Sequence, residues 1–213
     1  SLSNEFAREY SERLWRQLVV SSDAGDSPTG AATEAMVAIG LAIAAALAIK
    51  LPELFGIHFA GERSEDAYFY MRNLSLFMLP FLAGYFAWRR GLGRPGRLWL
   101  AVPFITAAVI VNVMPFKTGG HTLVLAALHL PIALWLAVGY AYAGGRWRDH
   151  DRRMDFIRFS GEWFIYYALI ALGGGVLLMF TMFVFSAIGI DAEWLLEAWI
   201  LPCGALGAVI IAA

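Results

Sequence analysis

The sequence predicts an all-α fold: a polytopic bundle of about six transmembrane helices, preceded by an amphipathic cytoplasmic helix. Hydrophobic residues make up 60% of the 213 residues and charged residues only 15%, whereas charged residues are about 25% of a typical soluble domain. The mean hydropathy is +0.63. The apolar residues form continuous runs, unlike the alternation of a β-barrel strand, and these runs lack the polar face that a soluble bundle needs.

Residues 1–27 are predicted to form the amphipathic helix and a linker, and residues 28–213 the transmembrane bundle. Apolar side chains recur every four positions in the first segment, at Leu2, Phe6, Tyr10, Leu14 and Leu18. This spacing predicts one apolar helix face. The three acidic and three basic side chains among the first 20 residues balance, so docking on the membrane interface or on the bundle depends on apolar burial. Ser27 and Pro28 are typical of a helix N-cap and first residue.

Ionisable residues separate six apolar runs of 15 to 28 uncharged residues. A membrane-spanning helix needs roughly 20 apolar residues. The shorter runs reach that length if Lys50 and Arg72 extend their charged groups outward to the interface. We therefore predict spans near residues 33–54, 67–88, 98–116, 121–143, 162–188 and 195–213.

The distribution of lysine and arginine predicts the orientation. Twelve of the 16 basic residues fall on the side of the membrane that holds the N-terminus, and cytoplasmic flanks retain positive charge. The N-terminus is therefore predicted to be cytoplasmic. Between spans two and three, four arginines occur in nine residues without an acid, which predicts contact with the negative cytoplasmic leaflet. They are Arg89, Arg90, Arg94 and Arg97.

Three polar residues inside the predicted spans are candidates for an intramembrane site: His129, Arg72 and Asn112. An ionisable side chain near the membrane midplane is costly, and this makes His129 a functional candidate. Arg72 and Asn112 would lie near the outer surface, with Lys117 and His121 above them. Such a group could bind an anionic head group or a small-molecule ligand.

His129 and Arg72 also have a structural interpretation, which the sequence leaves open. His129 could donate a hydrogen bond to a carbonyl that Pro131 releases from its helical partner. Arg72 could extend outward and pair with Glu53 or Asp66 at the interface.

Prolines and glycines mark candidate helix breaks. Spans two, four and six each carry a Leu-Pro pair, at Pro80, Pro131 and Pro202. Span five carries three consecutive glycines, Gly173, Gly174 and Gly175. Transporters place substrates at such interruptions, but a proline can also kink a membrane helix without touching a ligand. The glycines could allow local unwinding or close approach of another helix.

Several functional classes are excluded by composition. A single cysteine excludes a disulfide framework and a cysteine-based zinc site, and the balanced charge excludes a nucleic-acid-binding excess. Acidic residues between 146 and 162 stand at helical spacing from arginines, which favours ion pairs on a solvated turn over a metal site. No phosphate-binding loop or hydrolase motif is visible, so no catalytic residue, metal or cofactor is predicted.

The stretch Arg158 to Tyr167, continuing through Gly173-Gly174-Gly175 to Leu201-Pro202-Cys203-Gly204, resembles a family of bacterial polytopic membrane proteins catalogued as domain of unknown function 4153. The resemblance covers residues 156–213 most closely. It implies a bacterial inner-membrane location and further spans after Ala213, so we expect this sequence to be a fragment. It brings no substrate or catalytic residue.

Three functional hypotheses remain. The first is a transporter-like or permease-like protein with a polar site inside the bundle. The second is a non-catalytic membrane scaffold or sensor that meets partner subunits. The third is a lipid-modifying membrane enzyme, in which His129 would carry the chemistry.

Overall fold

The computed structural model describes residues 28–59, 64–116, 120–191 and 193–213, and these ranges contain helices and turns but no strand. The helices are α1 (Pro28–Ala48), α2 (Ser64–Arg89), α3 (Arg94–Val113), α4 (His121–Tyr142) and α5 (His150–Ala187). A 3-10 turn, Leu51–Phe55, follows α1. The last helix, α6, has three parts: α-helical Glu193–Leu195, π-helical Leu196–Ile200 and α-helical Leu201–Ile211.

The prediction of an all-helical fold is confirmed for the described residues. Four segments are long and apolar enough to cross a bilayer: Gly30–Phe55, Arg94–Val113, His121–Tyr142 and His150–Ala187. Leu196–Ile211 is apolar but shorter, and α2 is not among the four. The predicted amphipathic helix and its linker, residues 1–27, lie outside the described residues.

The chain divides into two compact units, residues 1–37 and 38–213. Of the first unit, only residues 28–37, at the beginning of α1, are described. All contacts reported below lie within the second unit.

Helix α2 is the central helix of the second unit. It packs against α3 and α4, and also against the last part of α6. One apolar cluster joins its beginning to α1 and α6 through Ile49, Tyr70, Leu206 and Ile210. Because protein surrounds much of α2, this helix can carry more polar residues than a helix that faces lipid.

Aromatic rings hold α2, α4 and α5 together at the end of the bundle where residues 89–94 and 143–150 connect the helices, here called the arginine-rich end. The ring of Phe86 lies 5.1 Å from that of Phe159, and Tyr142 stacks on Phe159 at 4.8 Å. Gly139 lies under this cluster. A Cβ atom at Gly139 would come within 2.7 Å of a Phe156 ring carbon, so this position accepts only glycine without rearrangement.

Helix α5 is 38 residues long, which corresponds to about 57 Å and is nearly twice the roughly 30 Å thickness of the hydrocarbon core. It begins at His150, capped by Asp149, whose side chain accepts a hydrogen bond from the backbone N–H of Asp151 at 3.1 Å. Residues 150–161, expected to be a turn between spans, are therefore the first three turns of α5. In its most apolar 18-residue window, no residue is buried.

Candidate functional site

Polar side chains gather at the end of the bundle opposite the arginine-rich end, where α1, the 3-10 turn and the beginning of α2 meet. We call this group the outer polar cluster; it comprises Lys50, Glu53, Asp66 and Tyr70. Lys50 and Asp66 are buried, with relative exposures of 8% and 6%. A buried charge is stable only when it is paired or hydrogen-bonded, so the contacts of these groups decide what they do.

The Lys50 ammonium group is satisfied inside the protein. Its Nζ lies 2.8 Å from Oε1 of Glu53, because the 3-10 turn brings a residue three positions later onto the same side. Nζ also lies 4.7 Å from the centre of the Trp199 ring, a cation–π distance. The prediction that Lys50 extends outward was therefore wrong: an internal carboxylate and an aromatic ring stabilise it instead.

Tyr70 and Asp66 connect α2 to the preceding turn. The Tyr70 hydroxyl lies 3.1 Å from the carbonyl of Ile57 and 3.3 Å from that of Ile49. The Asp66 carboxylate accepts a hydrogen bond from the backbone N–H of His58 at 3.3 Å. Both side chains hold backbone groups that have no helical partner, which is a structural role.

The π-helical segment of α6 places Trp199 over Lys50. Immediately afterwards, Pro202 stands in the first turn of the α-helical part, and Cys203 donates from Sγ to the carbonyl of Ala46 at 3.5 Å. The helix type changes between Ile200 and Leu201, one residue before Pro202. π-Helical turns are frequent at functional sites, but sequence patterns do not reveal one.

Asn112 is paired with Asn73, a residue that the sequence did not single out. Each amide donates to the oxygen of the other, at 2.9 and 3.1 Å. The second N–H of each amide donates to a carbonyl of its own helix, Ala108 for Asn112 and Phe69 for Asn73. All four amide N–H groups are used, so this pair joins α3 to α2.

Arg72 precedes Asn73 in the sequence, and its guanidinium carbon lies 5.7 Å from the centre of the Phe69 ring. Its Nε is buried without a hydrogen-bond partner. The two carboxylates suggested as its partners make contacts elsewhere: Glu53 pairs with Lys50, and Asp66 accepts from the backbone N–H of His58. Lys117, expected above Arg72, lies outside the described residues.

His129 stands on the exposed surface of α4. Its Nδ1 lies 2.8 Å from the carbonyl of Leu125, one turn earlier in the same helix. The carbonyl that Pro131 leaves without its helical donor belongs to Ala127, so the expected partner was wrong although the contact is local. No described contact joins His129 to Arg72 or Asn112.

The remaining predicted helix breaks are not interruptions. Helix α2 continues through Pro80, α4 through Pro131, and α5 through Gly173, Gly174 and Gly175. A Cβ atom added at any of the three glycines would have no described atom within 4 Å. Within the described chain, these glycines therefore neither unwind the helix nor pack closely.

The four arginines of the basic loop have different surroundings. Arg90 lies over the Tyr142 ring at 4.9 Å, and Arg89 lies near Tyr85. Arg97 donates from Nε to the carbonyl of Leu92 at 2.6 Å, and Arg94 is exposed at the start of α3.

No protein-family model, curated protein or solved structure matches this chain. The resemblance to domain of unknown function 4153 stays a prediction, and function has to be argued from the geometry.

Three cavities open on the surface of the described part of the protein. A cleft of about 840 Å³ separates the second half of α5 from α6, and one of about 400 Å³ lies between α2 and α3. A third cavity, of about 770 Å³, lies at the arginine-rich end near Tyr140, Trp147 and Arg148. Among the described residues, no three histidine, cysteine, aspartate or glutamate side chains are grouped to hold a metal ion.

Proposed function

We propose that this protein is a non-catalytic assembly subunit of a membrane complex, in which α5 receives a transmembrane helix from a partner subunit. The observation that carries the proposal is the exposure of the second half of α5, residues 169–187. Large apolar side chains on one broad face of it are exposed, including Leu172, Val176, Met179, Phe180 and Phe183, whereas Leu178 and Met182, toward α6, are half-buried. The other long helices bury at least a fifth of their most apolar window.

The glycines of α5 favour a helix over lipid as the covering partner. Each glycine in a helix interior costs about 1 kcal/mol relative to alanine, and no described neighbour offsets this cost at Gly173, Gly174 or Gly175. Small residues stabilise membrane proteins when another helix approaches them closely. Fluid lipid chains gain little packing energy against a helix surface that lacks side chains.

The cleft between α5 and α6 gives the incoming helix a place to pack. Ala171, Gly175, Met179 and Met182 line it on α5, and Leu196 and Leu201 line it on α6. Methionine side chains adapt to irregular surfaces because they are unbranched and flexible. A helix seated there would contact Gly175 and Leu196 of the π-helical segment together.

Site-specific photo-cross-linking in the native membrane tests the proposal. Benzoylphenylalanine at Val176 should give a cross-linked species of one discrete mass, because a partner helix covers this residue. At Ile132, on α4, it should give lipid adducts only; the two residues are similarly exposed, 69% and 64%. Lipid adducts alone at both positions would contradict the proposal.

A second pair of variants ties the cross-link to the glycines. Gly175→Leu, combined with the probe at Val176, should abolish the discrete species because the added side chain prevents close approach. Gly161→Leu places the same side chain in the first half of α5, also in open space. This variant should leave the cross-linked species unchanged. Equal effects of the two substitutions would count against a specific helix contact.

We further infer a bacterial inner-membrane protein with six spans and a cytoplasmic N-terminus, as a member of the family catalogued as domain of unknown function 4153. Four apolar helices support the membrane location. For α2, the polar contacts inside the bundle support insertion despite its charges. For α6, its packing against α2 and α5 supports insertion despite its shorter apolar length.

The transporter-like and lipid-modifying hypotheses stay predictions. The transporter-like hypothesis requires His129, Arg72 and Asn112 to share one cavity. The Asn112 pair with Asn73 and the local contact of His129 favour the assembly proposal instead.

A further inference from the structure

We infer that the cleft between α2 and α3 is a binding site for an anionic phospholipid, with an acyl chain between the helices and the phosphate at Arg97. The cleft holds about 400 Å³. This inference is independent of the assembly role of α5, because it concerns other helices.

The walls of the cleft suit a hydrocarbon chain. Small residues of α2, Ala83, Gly84 and Ala87, form one side, and Phe104 lies on the α3 side. A Cβ atom at Gly84 would meet no atom within 4 Å, so the missing side chain contributes open space. At the far end of the cleft lies Pro80, which removes one backbone donor from α2.

One charged residue lines the cleft, and it stands at the mouth. Arg97 is in the first turn of α3, and its Nε donates to the carbonyl of Leu92 at 2.6 Å. This bond uses Nε, so the two terminal nitrogens of the guanidinium group stay available to other acceptors. Arginine binds phosphate oxygens in this fork geometry.

The surroundings of the mouth match the surface of a membrane. Trp99 and Leu98 are exposed beside Arg97, at 71% and 72%, and tryptophan is enriched at the level of lipid head groups. Arg94 adds a second exposed cation, and the connection from 89 to 97 contains no acid. A cation at the interface above an apolar cleft complements a molecule with a negative head and a hydrocarbon tail.

Native mass spectrometry of the full chain, with added phosphatidylglycerol or phosphatidylcholine of the same acyl chains, tests the inference. The protein should retain phosphatidylglycerol preferentially. Arg97→Gln should reduce this retention by roughly tenfold, as expected for the loss of a charge-assisted hydrogen bond. Arg97→Lys, which keeps the charge, should preserve most of it. Equal retention of the two lipids by the unmodified protein would overturn the inference.

Matched control variants distinguish a specific effect of the cleft from the effect of losing any arginine or of adding a leucine to any helix. Arg153→Gln removes an exposed arginine from α5 and should leave the preference intact; an equal loss with Arg97→Gln would overturn the inference. Gly84→Leu should fill the cleft and reduce retention, whereas Gly161→Leu should not. If Gly84→Leu binds phosphatidylglycerol normally, the cleft is not the acyl site and the inference fails.

Discussion

Asn73 and Asn112 form a reciprocal pair in which each side-chain amide donates to the oxygen of the other, at 3.1 and 2.9 Å. The pair joins α2 to α3, and Asn73 is 4% exposed. Interhelical hydrogen bonds in membrane proteins contribute about 0.6 kcal/mol on average and up to about 1.7 kcal/mol. A closed pair with no amide N–H left over belongs near the upper end of this range.

The two asparagines should be energetically coupled. Asn73→Leu or Asn112→Leu alone should lower the free energy of unfolding by about 1–2 kcal/mol, because the remaining amide loses its partner. The double variant should be destabilised by less than the sum of the single effects, with a coupling of about 1 kcal/mol. A double-mutant cycle measured by unfolding in mixed micelles checks this. Additive effects would show that the pair does not contribute as a unit.

Glycine substitutions should have opposite effects at two positions. Gly139→Ala should destabilise the bundle by about 1–3 kcal/mol, because the new methyl group overlaps Phe156 and Trp147. Gly173→Ala has no described neighbour within 4 Å and should stabilise α5 by about 0.5–1 kcal/mol. Thermal unfolding of both variants in detergent checks the prediction, and the sign of each change decides it.

The ion pair between Lys50 and Glu53 should respond asymmetrically to neutralisation. Lys50→Met leaves a carboxylate beside an apolar group and should cost about 2 kcal/mol, between the values for exposed and buried pairs. Replacing both residues, with Glu53→Leu added, should recover part of this loss. Unfolding free energies of the two variants test the expectation. If the double variant is less stable than Lys50→Met alone, Glu53 stabilises the fold by contacts other than the ion pair.

The proposed orientation can be tested with two exposed histidines at opposite ends of the bundle. In a Cys203→Ser background, His58→Cys should react with a membrane-impermeant maleimide in cells whose outer membrane is permeabilised. His150→Cys should react only after the inner membrane is opened, because arginine-rich flanks stay on the cytoplasmic side. The reverse pattern would invert the topology.

Part of the candidate site could be predicted from the sequence, and part could not. Asn112 was recognised because a polar residue in an apolar run is costly, but its partner Asn73 stands beside Arg72, near the charged beginning of α2, where polarity is unremarkable. Lys50 was expected to extend outward because nothing in its local sequence places Trp199 beside it. That contact depends on a π-helical segment about 150 positions later in the chain.

The membrane character and the helical bundle follow from the sequence alone, because long apolar runs can satisfy their backbone groups in hydrocarbon only as helices. The bounds of α4 differ from the predicted span 121–143 by one residue, whereas α3 begins four residues and ends three residues before the predicted span 98–116. Tertiary structure alone decided which polar groups meet, that α2 packs against three other helices, and that the second half of α5 is left uncovered. These outcomes depend on how helix faces pack together, and spacing along one chain does not encode which face meets which partner.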